Sequence, residues 1–277
     1  MKMRFDPIII TGAGHSGTRG LVTLLNHAEG VYLGDTNNVF KEWNFYRLLA
    51  GRVNAWLLGL PEVHDNNVIP PDIVLHFRAS ESQRLDCTAR ILTEIQNHPE
   101  VSLPPAGTPR WVFKTPRTTL CLEIWRAVFP DATFVNLLRD GRDVAVANWS
   151  PPAGPVARKF DLWRARVNRI WSYQREGLPI IDLRYEDLPD PATLRDFCER
   201  VGLPYSARMH DPLVMNVGKG AELMKALPYE RFELMRYRYP PHFEHLSRFA
   251  LPSSTQPGDT PADGPQNPRA IGLPAPI

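Results

Sequence analysis

Cysteine is scarce in this chain, and what there is does not pair. Cys87, Cys121 and Cys198 are odd in number, widely spaced and without metal-ligand spacing. This argues against a disulfide framework and a zinc site and fits a reducing compartment. Long apolar runs are missing as well. The run Ile8-Ile9-Ile10 near the N-terminus falls far short of a signal core or a membrane span, so a cytoplasmic location without a membrane anchor is expected. Charge of one sign is also lacking. A formal net charge of +2 gives no global field for a polyanion, so nucleic acid is not an expected partner. Any anion site must then come from a few placed residues. No internal repeat is visible.

What is present is core-forming material. With 43% hydrophobic residues in 277, the chain can bury one full domain, expected over residues 1–250. From Leu251 onward it carries seven prolines, three glycines and no aromatic residue, a composition that cannot offset its ordering entropy. Residues 251–277 are therefore expected to be a disordered tail. Within the domain, Pro7–Thr11, Trp111–Phe113, Thr133–Leu138 and Ile180–Leu183 read as short strands. Helical spacing follows over Leu21–Leu25, Thr119–Phe129, the stretch from Arg139 through Trp149, Phe160–Gln174 and Ala192–Val201. Strands alternating with helices predict an α/β fold with a central parallel sheet flanked by helices, binding ligands at the carboxyl ends of the strands. Residues 51–109, interrupted by six prolines from Pro61 to Pro105, look less regular and are expected to be an insertion forming an acceptor cleft.

The first strand runs into Gly12-Ala13-Gly14-His15-Ser16-Gly17-Thr18-Arg19 and then a helix. At such a junction backbone N–H groups and a helix N-terminus can wrap a phosphate. The spacing is GxxxxG followed by Thr18. A metal-dependent P-loop would carry Lys at that position and Ser or Thr after it. Arg19 follows instead, which disfavours an ATPase, a GTPase or a P-loop kinase, and no metal is expected. A second strand-to-helix junction, Leu137-Leu138-Arg139-Asp140-Gly141-Arg142-Asp143-Val144-Ala145, places a basic residue where a second phosphate would fit. Arg142 reads equally as a solvated charge on the first helical turn.

These two segments together resemble those of the PAPS-dependent sulfotransferase superfamily, a P-loop NTPase-like fold whose donor is 3′-phosphoadenosine 5′-phosphosulfate (PAPS). Ser16–Leu21 is most similar to the 5′-phosphosulfate loop of the heparan-sulfate and carbohydrate branch. The resemblance implies that Gly14, His15, Ser16, Gly17, Thr18 and Arg19 line the 5′-phosphate, with His15 where the family has Lys or Arg. It further implies that Arg139 holds the 3′-phosphate. Gly141 stands in place of the family's Pro, and Ala147 in place of a Ser whose hydroxyl contact neighbouring Asn148 would have to replace. Tyr185, in Tyr185-Glu186-Asp187-Leu188, is similar to a family residue near the nucleotide, and equally reads as packing at a turn. Gly218-Lys219-Gly220 resembles the basic loop over the 3′-phosphate.

For the chemistry, Phe40-Lys41-Glu42-Trp43-Asn44-Phe45 resembles a segment of the same branch in which the Glu is the base, so Glu42 and Lys41 are catalytic candidates. Lys114, in Lys114-Thr115-Pro116, is the candidate cation for the transferring charge, and His15 touches the same group by this reading. A surface Lys-Glu pair and a solvated strand-end Lys are the plain alternatives. His64 and His76 are secondary candidates for the base. The implied activity moves a sulfuryl group from PAPS to a hydroxyl or amine of a small-molecule, lipid or glycan acceptor, releasing PAP, its desulfated product. A kinase-like phosphotransferase and a nucleotide-binding regulatory module without catalysis are the rival functions.

Overall fold

Ile8, Ile9 and Ile10 are β-branched and without polar side-chain atoms, which suits a strand buried on both faces. In the computed structural model of the chain they form the centre of β1, Pro7–Gly12, and are fully buried. The structure describes residues 6–34, 43–60, 69–108, 110–147 and 155–210. Among these, β1 is the middle of a sheet completed by β2 (Val31–Tyr32), β3 (Arg110–Lys114), β4 (Thr133–Leu138) and β5 (Ile180–Arg184), in the order β2-β3-β1-β4-β5. Every pairing is parallel. The helices are α1 (Thr18–Leu25), α2 (Asn44–Leu58), α3 (Pro71–His76), α4 (Glu81–Asn97), α5 (Pro99–Ser102), α6 (Leu122–Val128), α7 (Gly141–Val146), α8 (Val156–Arg175) and α9 (Pro191–Val201). This is the expected α/β class.

Alternation along the strands divides the core into two layers. Ile9, Phe113 and Phe134 point to one side, where they pack with residues of α2, α4, α6 and α8. Ile8, Ile10, Val112 and Val135 point to the other, against α1 and α9. None of the helices among the described residues is long and apolar enough to cross a membrane. Cys87, Cys121 and Cys198 are all buried and free.

Residues 51–109 correct the sequence reading: their described part is mostly helical. Pro71 and Pro99 open α3 and α5, where the missing N–H costs nothing, and Ser80 with Gln83 forms a capping box at the start of α4. Two of the prolines that read as interruptions are helix starts. This region also fills the core. The Tyr46 ring stacks on Phe113 with centroids 4.1 Å apart, its hydroxyl donates to the Ser102 carbonyl at 2.6 Å, and Trp43 Nε1 donates to Val101 at 2.8 Å. Two other boundaries move. The stretch expected as one helix from Thr119 is a 3₁₀ turn, Pro116–Leu120, broken from α6 at Cys121. The helix expected to run to Trp149 is the six-residue α7, since Ala147 is already extended (ψ 151°).

Candidate active site

All the sheet's strands are parallel, so their carboxyl ends share one edge, and β3 and β4 flank β1 on opposite sides there. Such a switch point is where open α/β sheets leave a crevice. The three central strands end on Lys114, Gly12 and Leu138, and β5 ends on Arg184.

The loop after β1 is shaped by close approach. Gly12 (φ 137°) lies so near β4 that a methyl group would sit 2.8 Å from the Leu137 carbonyl. His15 is left-handed (φ 65°), a conformation costing a side-chain-bearing residue about 1–2 kcal/mol, and therefore held by its surroundings. Gly17 (φ 91°) is the N-cap of α1, and a methyl group there would fall 2.1 Å from Tyr185 Cδ2. The first N–H groups of a helix have no acceptor within it, and those of α1 open from this loop. The Ser16 side chain is fully buried, and its hydroxyl has no hydrogen-bond partner among the described residues.

Arg139, the residue after β4, reaches back over this loop. Its Nη1 donates to the His15 carbonyl at 3.2 Å, its guanidinium carbon lies 4.6 Å above the Tyr185 ring, and its Nη2 is 3.9 Å from Asp143 Oδ2. It is 8% exposed, with Nε lacking a partner among the described residues. The pairing of Leu138 with Arg184 explains the stack, since one residue further along each chain stand Arg139 and Tyr185. A residue beyond those, the Asp140 N–H donates to Glu186 Oε1 at 2.8 Å. Burial pushes the Glu186 carboxyl above its ordinary range, and the Asp140 N–H acts in the opposite direction. Asp140 Oδ1 in turn accepts from the Arg142 N–H at 2.9 Å and caps α7.

The structure corrects Arg142, read as a possible solvated charge: it is 1% exposed, because α8 covers α7. The departure at Gly141 has a cause in the same contact. A Cβ there would lie 2.4 Å from the Trp163 ring, so neither proline nor alanine fits without movement. Gly141→Ala is expected to destabilise the fold by about 1–3 kcal/mol, the usual cost of overpacking. Chemical denaturation checks this, and an unchanged midpoint would contradict the packing.

On the other side of β1, Lys114 pairs with Ile10 and is 4% exposed, so it is not a solvated strand-end charge. The following turn is tied to β1: the Thr115 N–H donates to the Ile10 carbonyl at 3.1 Å, and Thr119 donates to the Gly12 carbonyl at 3.2 Å. The Thr11 hydroxyl lies 3.0 Å from that of Thr119 and 3.1 Å from that of Thr118. This buried hydroxyl ladder went unrecognised in the sequence because it spans more than a hundred positions. The burial of Arg166 and Arg169 in α8 has no local signal either; Arg169 donates to the Leu120 carbonyl at 3.0 Å.

The structure thus brings together His15, Ser16, Gly17, Thr18, Arg139 and Tyr185, with Lys114 at the adjoining strand end. Arg19 is exposed on α1, Gly14 is half-buried, and His76 is exposed at the end of α3. Lys41, Glu42, His64, Asn148 and Lys219 lie outside the described residues. Among the described residues no group of three or more His, Cys, Asp or Glu is placed to hold a metal ion. Two buried strand-end cations, Arg139 and Lys114, a Ser16 hydroxyl without a partner among the described residues and a helix N-terminus suit a ligand with more than one anionic group.

The model of the sulfotransferase family matches residues 7–207. Solved structures with a similar course include a sulfotransferase domain of the Synechococcus PCC 7002 olefin synthase, at 19% identity and TM-score 0.48, covering 92% of this chain and 93% of that one. A Mycobacterium tuberculosis sulfotransferase is similar at 18% identity and TM-score 0.44, covering 80% and 75% of the two chains. One from Alicyclobacillus acidocaldarius is similar at 16% identity and TM-score 0.44, covering 83% and 90%. No curated protein sequence matches this chain significantly.

Proposed function

The chain belongs to the sulfotransferase family, and on that premise we propose that it transfers a sulfuryl group from PAPS to a hydroxyl or amine of an acceptor, releasing PAP. The observation that carries the donor reading is the bridge between the two junctions: Arg139 donates to the His15 carbonyl at 3.2 Å and stacks on Tyr185. A cation at the end of β4 is thereby fixed beside the loop after β1, and a nucleotide with phosphates at both ends of its ribose would meet each. Ser16 Oγ and Arg139 Nε, both buried and without partners among the described residues, fit such a ligand because each offers a donor that a bound anion would satisfy.

In this reading the loop N–H groups with Ser16 and Thr18 hold the 5′-phosphate, and Arg139 holds the 3′-phosphate. Glu42 removes the acceptor's proton as the acceptor oxygen or nitrogen bonds to sulfur and the bond from sulfur to the phosphate oxygen breaks. Negative charge builds on that oxygen. Lys114 and His15 would stabilise this charge, and the fixed dipoles at the start of α1 would add to the effect. Lys41 adds positive charge next to Glu42, and Asn148 and Lys219 complete the 3′-phosphate contacts. The acceptor would approach the carboxyl edge of the sheet, where β1 and β3 end on Gly12 and Lys114. A small-molecule, lipid or glycan acceptor is compatible with it. The likeness to the heparan-sulfate branch rests on Ser16–Leu21 and on Lys41-Glu42. A phosphotransferase is disfavoured because Thr18 stands where a P-loop has its lysine.

Arg139→Ala is the test of the donor reading. Loss of a charge-assisted contact is expected to weaken PAP by about 1.5–3 kcal/mol. AMP, which lacks the 3′-phosphate, should lose much less. Calorimetric titrations showing equal losses for both nucleotides would remove Arg139 from the 3′ position.

A further inference from the structure

We propose that Glu186 is a positioning residue for donor recognition, its carboxylate holding the turn that aims Arg139; this rests on the donor reading above. Three observations carry it. The Asp140 N–H, immediately after Arg139, donates to Glu186 Oε1 at 2.8 Å. Asp140 is itself fully buried, so this bond is made away from bulk water. The neighbouring Tyr185 supports the Arg139 guanidinium from below at 4.6 Å and also presses on Gly17 of the phosphate loop.

The dipeptide Tyr185-Glu186 therefore clamps both junctions at once. Tyr185 sets the plane in which the guanidinium lies, and Glu186 sets the backbone from which it projects. The pairing of β4 with β5 makes this possible: Leu138 opposite Arg184 puts the next two residues of each chain side by side. Without the Glu186 carboxylate, the Asp140 N–H would lose the acceptor that fixes its direction, and the turn would be freer to rotate. Asp140 also caps α7 through the Arg142 N–H, so rotation would carry Arg139 away from the His15 carbonyl. Since Glu186 acts through Arg139, its loss should erode discrimination in favour of the 3′-phosphate rather than nucleotide binding in general.

The experiment compares PAP and AMP affinities of the full chain by calorimetry for wild type, Glu186→Ala, Glu186→Gln and Arg139→Ala, with melting curves for each. Glu186→Ala is expected to lower the preference for PAP over AMP about tenfold, the fold-change equivalent of one charge-assisted contact. Glu186→Gln keeps an oxygen acceptor for the Asp140 N–H and should stay within about threefold of wild type. KM for PAPS should rise in Glu186→Ala more than kcat falls. If the preference survives in Glu186→Ala while Arg139→Ala loses it, the positioning role is wrong and the donor reading stands. Equal weakening of PAP and AMP in Glu186→Ala makes Glu186 a general support of the fold and also overturns the proposal. Gln failing as badly as Ala overturns the hydrogen-bond account, and an unchanged preference in Arg139→Ala overturns the donor reading with it.

Discussion

Lys114→Met is expected to lower kcat by on the order of 10²–10³, the usual cost of deleting one preorganised group that stabilises developing charge. Methionine keeps the length and the apolar stem of the side chain, so the buried end of β3, where Lys114 is 4% exposed, should keep its packing and the protein its melting temperature. A buried cation is maintained at a desolvation cost, and here it stands beside the strand that leads into the loop at residues 13–17. Charge accumulates on the leaving oxygen only as the bond to sulfur breaks, so the loss should fall mainly on kcat and less on KM for PAPS. A variant with raised KM and unchanged kcat would make Lys114 a donor-binding residue instead.

An effect of similar or greater size is expected for Glu42→Gln. The amide retains shape and hydrogen bonding but cannot accept the acceptor's proton. PAP affinity should stay within about twofold of wild type while kcat falls by on the order of 10²–10⁴, the contribution of a positioned base. The acid limb of the wild-type pH–rate profile, where the base gains its proton, should be absent from the residual rate of the variant. Near-wild-type kcat in Glu42→Gln would move the base elsewhere. His64 would be tested next, then His76, which is exposed at the end of α3.

The parts of the structure that the sequence announced are those set by neighbouring residues. A run of three isoleucines followed by a glycine-rich loop must be a strand and a turn, and the junction after Leu138 ends a strand on a basic residue for equally local reasons. The bounds of β4, Thr133–Leu138, are legible to the residue. What stayed hidden depends on residues far apart. Arg142 looked solvated because nothing near it in sequence reveals that α8 lays Trp163 over Gly141. The hydroxyls of Thr11, Thr118 and Thr119 carry no local signal, and they meet only because β3 pairs with β1. Glu186 belonged to a recognisable Tyr-Glu-Asp-Leu segment, yet its use depends on which residue of β4 it stands beside. The helices within residues 51–109 are hidden because Pro71 and Pro99 act at first turns rather than as breakers.

PAPS-type donor recognition at the Arg139 junction is tested most directly by one titration: wild-type protein with PAP, AMP and ATP in EDTA, with ATP repeated in Mg²⁺. It predicts that PAP binds without metal and at least about tenfold more tightly than AMP or ATP, a margin of about 1.4 kcal/mol that the Arg139 junction would supply. Equal affinity for PAP and AMP would contradict it. So would ATP binding that requires Mg²⁺ and exceeds that of PAP.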